Sequence, residues 1–261
     1  MPLLVETADL RKYYGSVRAL DGLGLKVRPG EVYGLLGPNG AGKTTTLRIL
    51  SALEKPTSGS VRVAGYDPVA EPVEVKKRIG YVAENIILYE SLTPREYFEF
   101  VSSTRSLAES ALKRAATLAD VLDLDPHYDV PIGALSMGTR QKIAIISALL
   151  HSPPLLLLDE PLNGLDAKSG RILKELILLH VGSGGAVVFS THIMDIAESI
   201  CTRIGILNMG KIVAEGTMQE LRQTAGRSES SLEDVFLKLT EEEGLIAESI
   251  ERLREGERPG P

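Results

Sequence analysis

Gly37-Pro38-Asn39-Gly40-Ala41-Gly42-Lys43-Thr44, with Thr45 behind it, is the stretch whose reading decides the fold. It fits the pattern G-x-x-x-x-G-K-S/T. Before it, Val32-Tyr33-Gly34-Leu35-Leu36 reads as a short buried strand; after it, Thr45-Thr46-Leu47-Arg48-Ile49-Leu50 reads as the first turns of a helix with an apolar face. Strand, glycine loop and helix in that order form the setting in which the pattern binds phosphate. Glycines let the backbone curl around a phosphate chain, and the N–H groups at the helix start point at the anion. Lys43 adds a point charge for the β- and γ-phosphates, and the Thr44 hydroxyl can ligate the Mg²⁺ that bridges them. A chance glycine loop with a stray Lys-Thr would lack both flanks. The stretch implies a nucleotide site in an α/β domain.

With 261 residues, 43% of them hydrophobic and 25% charged, the chain suits one large α/β domain or one domain with a small insert. A net charge of −6 argues against a main role on a phosphate backbone, so no nucleic-acid partner is expected. The single cysteine, Cys201, excludes an internal disulfide, fits a reducing compartment and reads as a small buried hydrophobe. No segment approaches the ~20 apolar residues of a membrane span. The richest, Ile143 to Leu158, is broken by His151-Ser152-Pro153-Pro154. Met1 to Glu6 lacks the basic-then-apolar plan of a signal peptide. The expectation is a cytoplasmic protein that meets a membrane only through a partner.

Residues 3–36 look β-rich. Leu3 to Ala8 alternates loosely, Lys12-Tyr13-Tyr14-Gly15 reads as a break, and alternation resumes from Ala19 to Val27. Ser60-Val61-Arg62-Val63 is a further strand, 72–78 a short basic helix and Ile79-Gly80-Tyr81-Val82 a short strand. From Thr93-Pro94, a capping residue and a helix-opening proline, to about Leu150 the pattern is helical, giving an all-helical insert over roughly 85–150. The frame returns with the strand Leu155 to Asp159, a helix from Ala167 to His180, the strand Gly185 to Ser190, and two strands (203–208 and 211–215) joined by a Met209-Gly210 turn. Ser231 to Leu239 reads as an amphipathic helix. Glu241 to Glu255 reads as a second one in a charged tail, 241–261, appended to a domain of residues 1–240.

Two further signals carry chemistry. Four leucines followed by Asp159-Glu160 place two carboxylates where a buried strand ends, at the sheet edge beside the phosphate loop. There Asp159 can hold Mg²⁺ through a water, and Glu160 can orient or deprotonate a water for in-line attack on the γ-phosphate. Leu135-Ser136-Met137-Gly138-Thr139-Arg140-Gln141 heads a helix, where serine can cap and glycine leaves N–H groups accessible to an anion. One chain has no evident use for two such sites on one nucleotide, which suggests that the second serves a neighbouring molecule's ATP.

Taken in order, these residues resemble the ATP-binding-cassette ATPases over nearly the whole chain. The order comprises an aromatic upstream (Tyr14), the phosphate loop, the helical insert, an LS-x-G helix start, Asp-Glu, Asn163-Gly164-Leu165-Asp166 and Ser190-Thr191-His192. Within that family the chain looks most like the ATPase subunits of type-2 exporters, because of Leu-Ser-Met-Gly-Thr-Arg-Gln-Lys, Asn-Gly-Leu-Asp and Leu232-Glu233-Asp234-Val235-Phe236. The resemblance implies a P-loop fold with a mixed sheet, an N-terminal antiparallel part and a helical subdomain. It implies that Tyr14 stacks on adenine with Val17 nearby, and that Asn39, Gly40, Ala41, Gly42, Lys43, Thr44 and Thr45 hold phosphates and Mg²⁺. Ser136 and Gly138 would reach the γ-phosphate bound by the opposite protomer of a head-to-tail dimer. Asp166 would lie at that interface, and His192 would contact the γ-phosphate and steady Glu160. The implied partners are ATP, a second ATPase copy or close relative, and an integral-membrane permease.

Two positions depart from the family pattern. Tyr81-Val82-Ala83-Glu84 puts a carboxylate where glutamine is usual, and Glu84 is expected to reach the metal and couple it to the insert. Met137 and Thr139 replace the commoner Gly and Gln, while Ser136 and Gly138 keep the trans contact. Two rival classes remain at this stage. A cassette ATPase acting away from membranes would be expected to carry paired cassettes, coiled coils or zinc modules. A kinase or GTPase would leave the LS-x-G helix and His192 unexplained.

Overall fold

The computed structural model describes residues 2–226 and 231–240. Its main sheet has six strands in the order β5-β6-β7-β3-β8-β9: Ile79–Val82, Leu155–Asp159, Ala186–Thr191, Val32–Leu36, Arg203–Asn208 and Lys211–Gly216. The first five are parallel, and β9 returns antiparallel from β8. A second, antiparallel sheet in the order β2-β1-β4 is formed by Val17–Val27, Val5–Tyr14 and Ser58–Val63.

Strands β3, β6 and β7 are buried along their whole length, and the apolar runs of β6 and β7 up to Leu158 and Phe189 follow from burial on both faces. Alternate residues serve different cores. Leu155, Leu157, Ala186 and Val188 pack towards the antiparallel sheet and helix α1 (Lys43–Leu50). Leu156, Leu158, Val187 and Phe189 pack the other way, against α5 (Met137–Leu149) and α6 (Ala167–Gly182). A third core joins α3 (Pro94–Thr104), α4 (Glu109–Val121) and α5. A fourth gathers α7 (Met194–Ile200), α8 (Met218–Thr224) and α9 (Leu232–Leu239) against Ile204 and Ile206 of β8 and Leu36 of β3. The short α2 (Pro72–Arg78) leads into β5.

Three local expectations change. Lys12-Tyr13-Tyr14 does not break the first strand; β1 runs through Tyr14 and turns at Gly15. The lost alternation comes from irregular pairing with β2 beyond Thr7, around Asp9 at φ +47°, which shifts the faces of the residues that follow. The stretch 85–150 is not continuously helical either. Residues 85–93 form no helix, and two 3₁₀ turns, Asp125–His127 and Ile132–Ala134, separate α4 from α5. Helix α5 also belongs to both parts: Ile143, Ile146 and Leu150 face the helical core, while Ile145 and Ala148 face the sheet. The Thr93 cap is as expected, with Glu96 completing a capping box. The helix expected from Glu241 to Glu255 lies outside the described residues.

Candidate functional site

The phosphate loop leaves β3 at Leu36 and enters α1 at Lys43, so the free N–H groups of a helix start face the open end of the sheet. Gly42 sits at φ +111°, and a Cβ there would lie 2.5 Å from the Ala19 carbonyl oxygen, so backbone packs on backbone and only glycine fits. The Lys43 ammonium donates to the carbonyls of Gly37 at 2.7 Å and Pro38 at 3.2 Å, bridging the loop it belongs to. Burial pulls Lys43 below its ordinary pKa, while Glu160, Asp159 and Glu84 pull it back up. One cation is thus set against three carboxylates.

A cleft of about 420 Å³ brings the loop residues Asn39, Gly40, Gly42, Lys43, Thr44 and Thr45 together with Glu84, Asp159 and Glu160. The two acids at the end of β6 differ sharply. Asp159 is fully buried, and its Oδ1 accepts from the Ser190 hydroxyl of the neighbouring strand. Its Oδ2 is buried with no hydrogen-bond partner among the described residues. Burial raises Asp159 above the ordinary carboxylate value and Glu84 adds to this, whereas the Ser190 hydrogen bond, the neighbouring Thr44 hydroxyl and the Lys43 charge oppose it. An orphaned carboxylate oxygen beside a threonine hydroxyl is suited to a hard cation or to water bound to one. No cluster of three or more acidic, His or Cys side chains among the described residues forms a cage by itself.

Glu160 follows on a turn at φ +46°, a left-handed conformation that costs a non-glycine residue about 1–3 kcal/mol. Its N–H donates to the Ser190 carbonyl at 3.1 Å. Its Oε2 accepts from the Thr191 hydroxyl at 3.1 Å, and its Oε1 lies 2.8 Å from His192 Nδ1. Both oxygens are therefore held, and the side chain, 7% exposed, is fixed in one orientation. The His192 ring stays 54% exposed, leaving its other nitrogen accessible.

Tyr14 and Val17 end β1 and begin β2, directly opposite one another across the hairpin and both exposed. Burial and the nearby Glu54 carboxylate raise the Tyr14 phenol above its ordinary value, and the Thr45 hydroxyl of α1 opposes the rise. Lys12 Nζ lies 4.9 Å from the Tyr14 ring centre.

Ser136 and Gly138 do not line this cleft. Ser136 caps α5, accepting from the Thr139 N–H at 3.3 Å. A Cβ on Gly138 would lie 2.3 Å from the Gly164 carbonyl oxygen, so the start of α5 and the loop of Asn163-Gly164 touch backbone to backbone. Gln141 Nε2 secures that loop through the Pro161 carbonyl at 2.8 Å. Asp166 caps α6 through Ser169, whose N–H and hydroxyl hold its carboxyl down to about 2.

The family model described as ABC transporter matches residues 20–163. The chain belongs to the ABC transporter family. Among curated relatives of this cassette, the daunorubicin/doxorubicin resistance ATP-binding protein DrrA of Streptomyces peucetius is 37% identical over 223 residues, 85% of this chain and 68% of the relative. The linearmycin resistance ATP-binding protein LnrL of Bacillus subtilis is 35% identical over 224 residues, 85% of this chain and 72% of the relative. Among solved structures, an ATP-binding subunit of an ABC transporter superposes with TM-score 0.87 at 32% identity, covering 91% of this chain and 99% of that one. The dimeric post-hydrolysis state of the cassette MJ0796, bound to ADP and phosphate, superposes with TM-score 0.75 at 28% identity, covering 82% and 98%. The cassette fold expected from the sequence is therefore present, and the protein is an ABC ATPase, which binds and hydrolyses ATP. The kinase and GTPase alternatives fall, and a role away from transport is not favoured.

Ser190 and Thr191 are the residues that sequence reasoning named without giving them work. Ser190 is the register partner of Asp159 across β6 and β7, which is why its hydroxyl reaches the carboxylate. The available signal was two hydroxyl residues ending an apolar strand, and it acquires meaning only once the strand order is known.

Proposed function

We propose that this cassette drives export through a separate integral-membrane permease, as a head-to-tail dimer with two ATPs enclosed between protomers. Residues 1–240 act as one cassette with its helical part over roughly 85–150, and 241–261 as an appended tail. Tyr14 and Val17 take the adenine, and residues 39–45 take the phosphates. Thr44, Asp159 through a water, and Glu84 would hold Mg²⁺, which when bound neutralises charge on the phosphate oxygens. Glu160 accepts the proton of the attacking water, while His192 keeps Glu160 in place and presents its free nitrogen to the γ-phosphate. Ser136 and Gly138, which do not line their own chain's cleft, bind the γ-phosphate held by the other protomer, and Asp166 lies at the same interface. Closure and reopening follow from ATP contacts that exist only in the closed pair.

The single observation that carries this reading is Glu160, fixed on both oxygens by Thr191 and His192 beside the phosphate loop and held at a strained φ of +46°. A side chain kept in that conformation over an anion site suits proton transfer better than structural support. Export is supported by the resistance proteins among the relatives. No helix among the described residues is long and apolar enough to cross a membrane; the proposed place of the cassette is against the permease, on the cytoplasmic membrane face. A groove of about 460 Å³ beside β5, lined by Ile86, Ile87, Tyr97 and Val101, is the surface offered to it, with Ile87 91% exposed.

The test is Glu160→Gln, which keeps shape and loses basicity. Turnover should fall about 10²–10⁴-fold while ATP binding persists, and an ATP-dependent dimer should accumulate in gel filtration. Turnover near that of the unmodified protein would remove Glu160 as the base.

A further inference from the structure

The turn between β8 and β9 bonds both to the phosphate loop, at Ala41, and to strand β2, at Asp21. Its two residues, Met209 at φ +46° and Gly210 at φ +76°, form the tight two-residue connection that hairpins favour. Methionine is a costly occupant there, and its side chain, 82% exposed, gains little packing in return. The Gly210 N–H donates to the carbonyl of Ala41 in the phosphate loop at 3.0 Å. The Gly210 carbonyl accepts from the N–H of Asp21 on β2 at 2.9 Å. A Cβ on Gly210 would lie 2.8 Å from the Ala19 carbonyl oxygen and 2.9 Å from Leu20 Cα, so turn and strand meet at backbone contact. Side chains lock the joint: Lys211 Nζ lies 3.4 Å from Asp21 Oδ2, and the Tyr13 hydroxyl donates to Asp21 Oδ1 at 3.2 Å. Strand β2 begins at Val17, opposite Tyr14, and passes the cleft at Ala19 on its way to Asp21.

We infer that Gly210, with Asp21 and Lys211, forms a strut that fixes the distance between the purine-facing hairpin and the phosphate loop, and so lets one ATP be held at both ends. These are positioning residues. The inference rests on the proposed reading of Tyr14 and Val17 as the purine platform. Without the strut the phosphate loop still binds phosphate, but the purine contact no longer adds to it. The residues thus set preference for a nucleotide over a bare phosphate chain.

Calorimetric titration of the full chain with ATP and with inorganic tripolyphosphate, in one buffer, separates the two ends. Gly210→Ala pushes β2 off the turn; ATP affinity should fall about tenfold while tripolyphosphate affinity stays within about twofold. An equal loss for both ligands, or a loss for neither, overturns the strut. Should Gly210→Ala not fold, Asp21→Asn and Lys211→Met leave the backbone bonds in place and should weaken ATP alone about threefold, with the same two outcomes counting against it. Tyr14→Ala tests the underlying reading separately. A selective ATP loss in Tyr14→Ala without one in the strut variants overturns the strut alone. The reverse pattern overturns the reading of Tyr14 as the purine contact, and with it the role given to the strut.

Discussion

Replacing Gly138 by alanine separates what this chain does for its own nucleotide from what it is proposed to do for its partner's. The new Cβ would stand 2.3 Å from the carbonyl oxygen of Gly164, a backbone atom that cannot swing aside. Restoring ordinary contact needs roughly 1 Å of movement of the start of α5 or of the Asn163-Gly164 loop, an overpacking that typically costs about 1–3 kcal/mol. Both pieces lie on the surface proposed to meet the second protomer, and neither lines the cleft. A shift of about 1 Å in a catalytic constellation can cost about 100-fold in rate. Gly138→Ala should therefore bind ATP as tightly as the unmodified chain by calorimetry while its steady-state ATPase falls by about two orders of magnitude. The thermal midpoint should drop by a few degrees, roughly in line with that strain for a domain of this size. If ATP affinity falls together with rate, the start of α5 supports its own cleft and the trans assignment is wrong. Undiminished turnover would be equally damaging.

Other expectations follow from the same geometry. Glu84 lines the cleft while Ile86 and Ile87, just after it, line the groove offered to the permease. Glu84→Gln should keep much of the ATPase activity and Glu84→Ala should lose it, and equal activity in all three proteins would discard Glu84 as a metal ligand. His151 has its Nε2 on the Ile79 carbonyl at 2.9 Å, and burial, with Arg105 adding to it, lowers its pKa to about 4. Because the folded state binds its proton more weakly than the unfolded one, stability should decline as pH falls from 6.5 towards 4. His151→Gln keeps a donor and should flatten that slope in thermal melts, whereas an unchanged slope would show that His151 does not set it.

Where a signal was local, the sequence was enough. The phosphate loop announced its own strand and helix, and the apolar run ending in Asp159-Glu160 declared a strand buried on both faces. Capping residues such as Thr93 and Ser136 marked helix starts correctly. What escaped depended on contacts between distant segments. Ser190 meets Asp159 only because β7 lies beside β6 in a particular register. Helix α5 has apolar residues on two sides because it closes two cores, a division that periodicity alone does not assign to the insert or the sheet. The irregular pairing around Asp9 in β1 disguised a continuous strand as a broken one. The backbone contacts of Gly138 with Gly164, and of Gly210 with Ala19, left no pattern at all, since each glycine reports only that something comes close.

Completion of the site by a partner is tested most directly by specific ATPase activity as a function of protein concentration at saturating ATP. A pocket finished by Ser136 and Gly138 of a second copy predicts activity per molecule that rises with concentration and levels off as dimers form. Activity per molecule that is constant down to concentrations where sedimentation finds only monomer would contradict it.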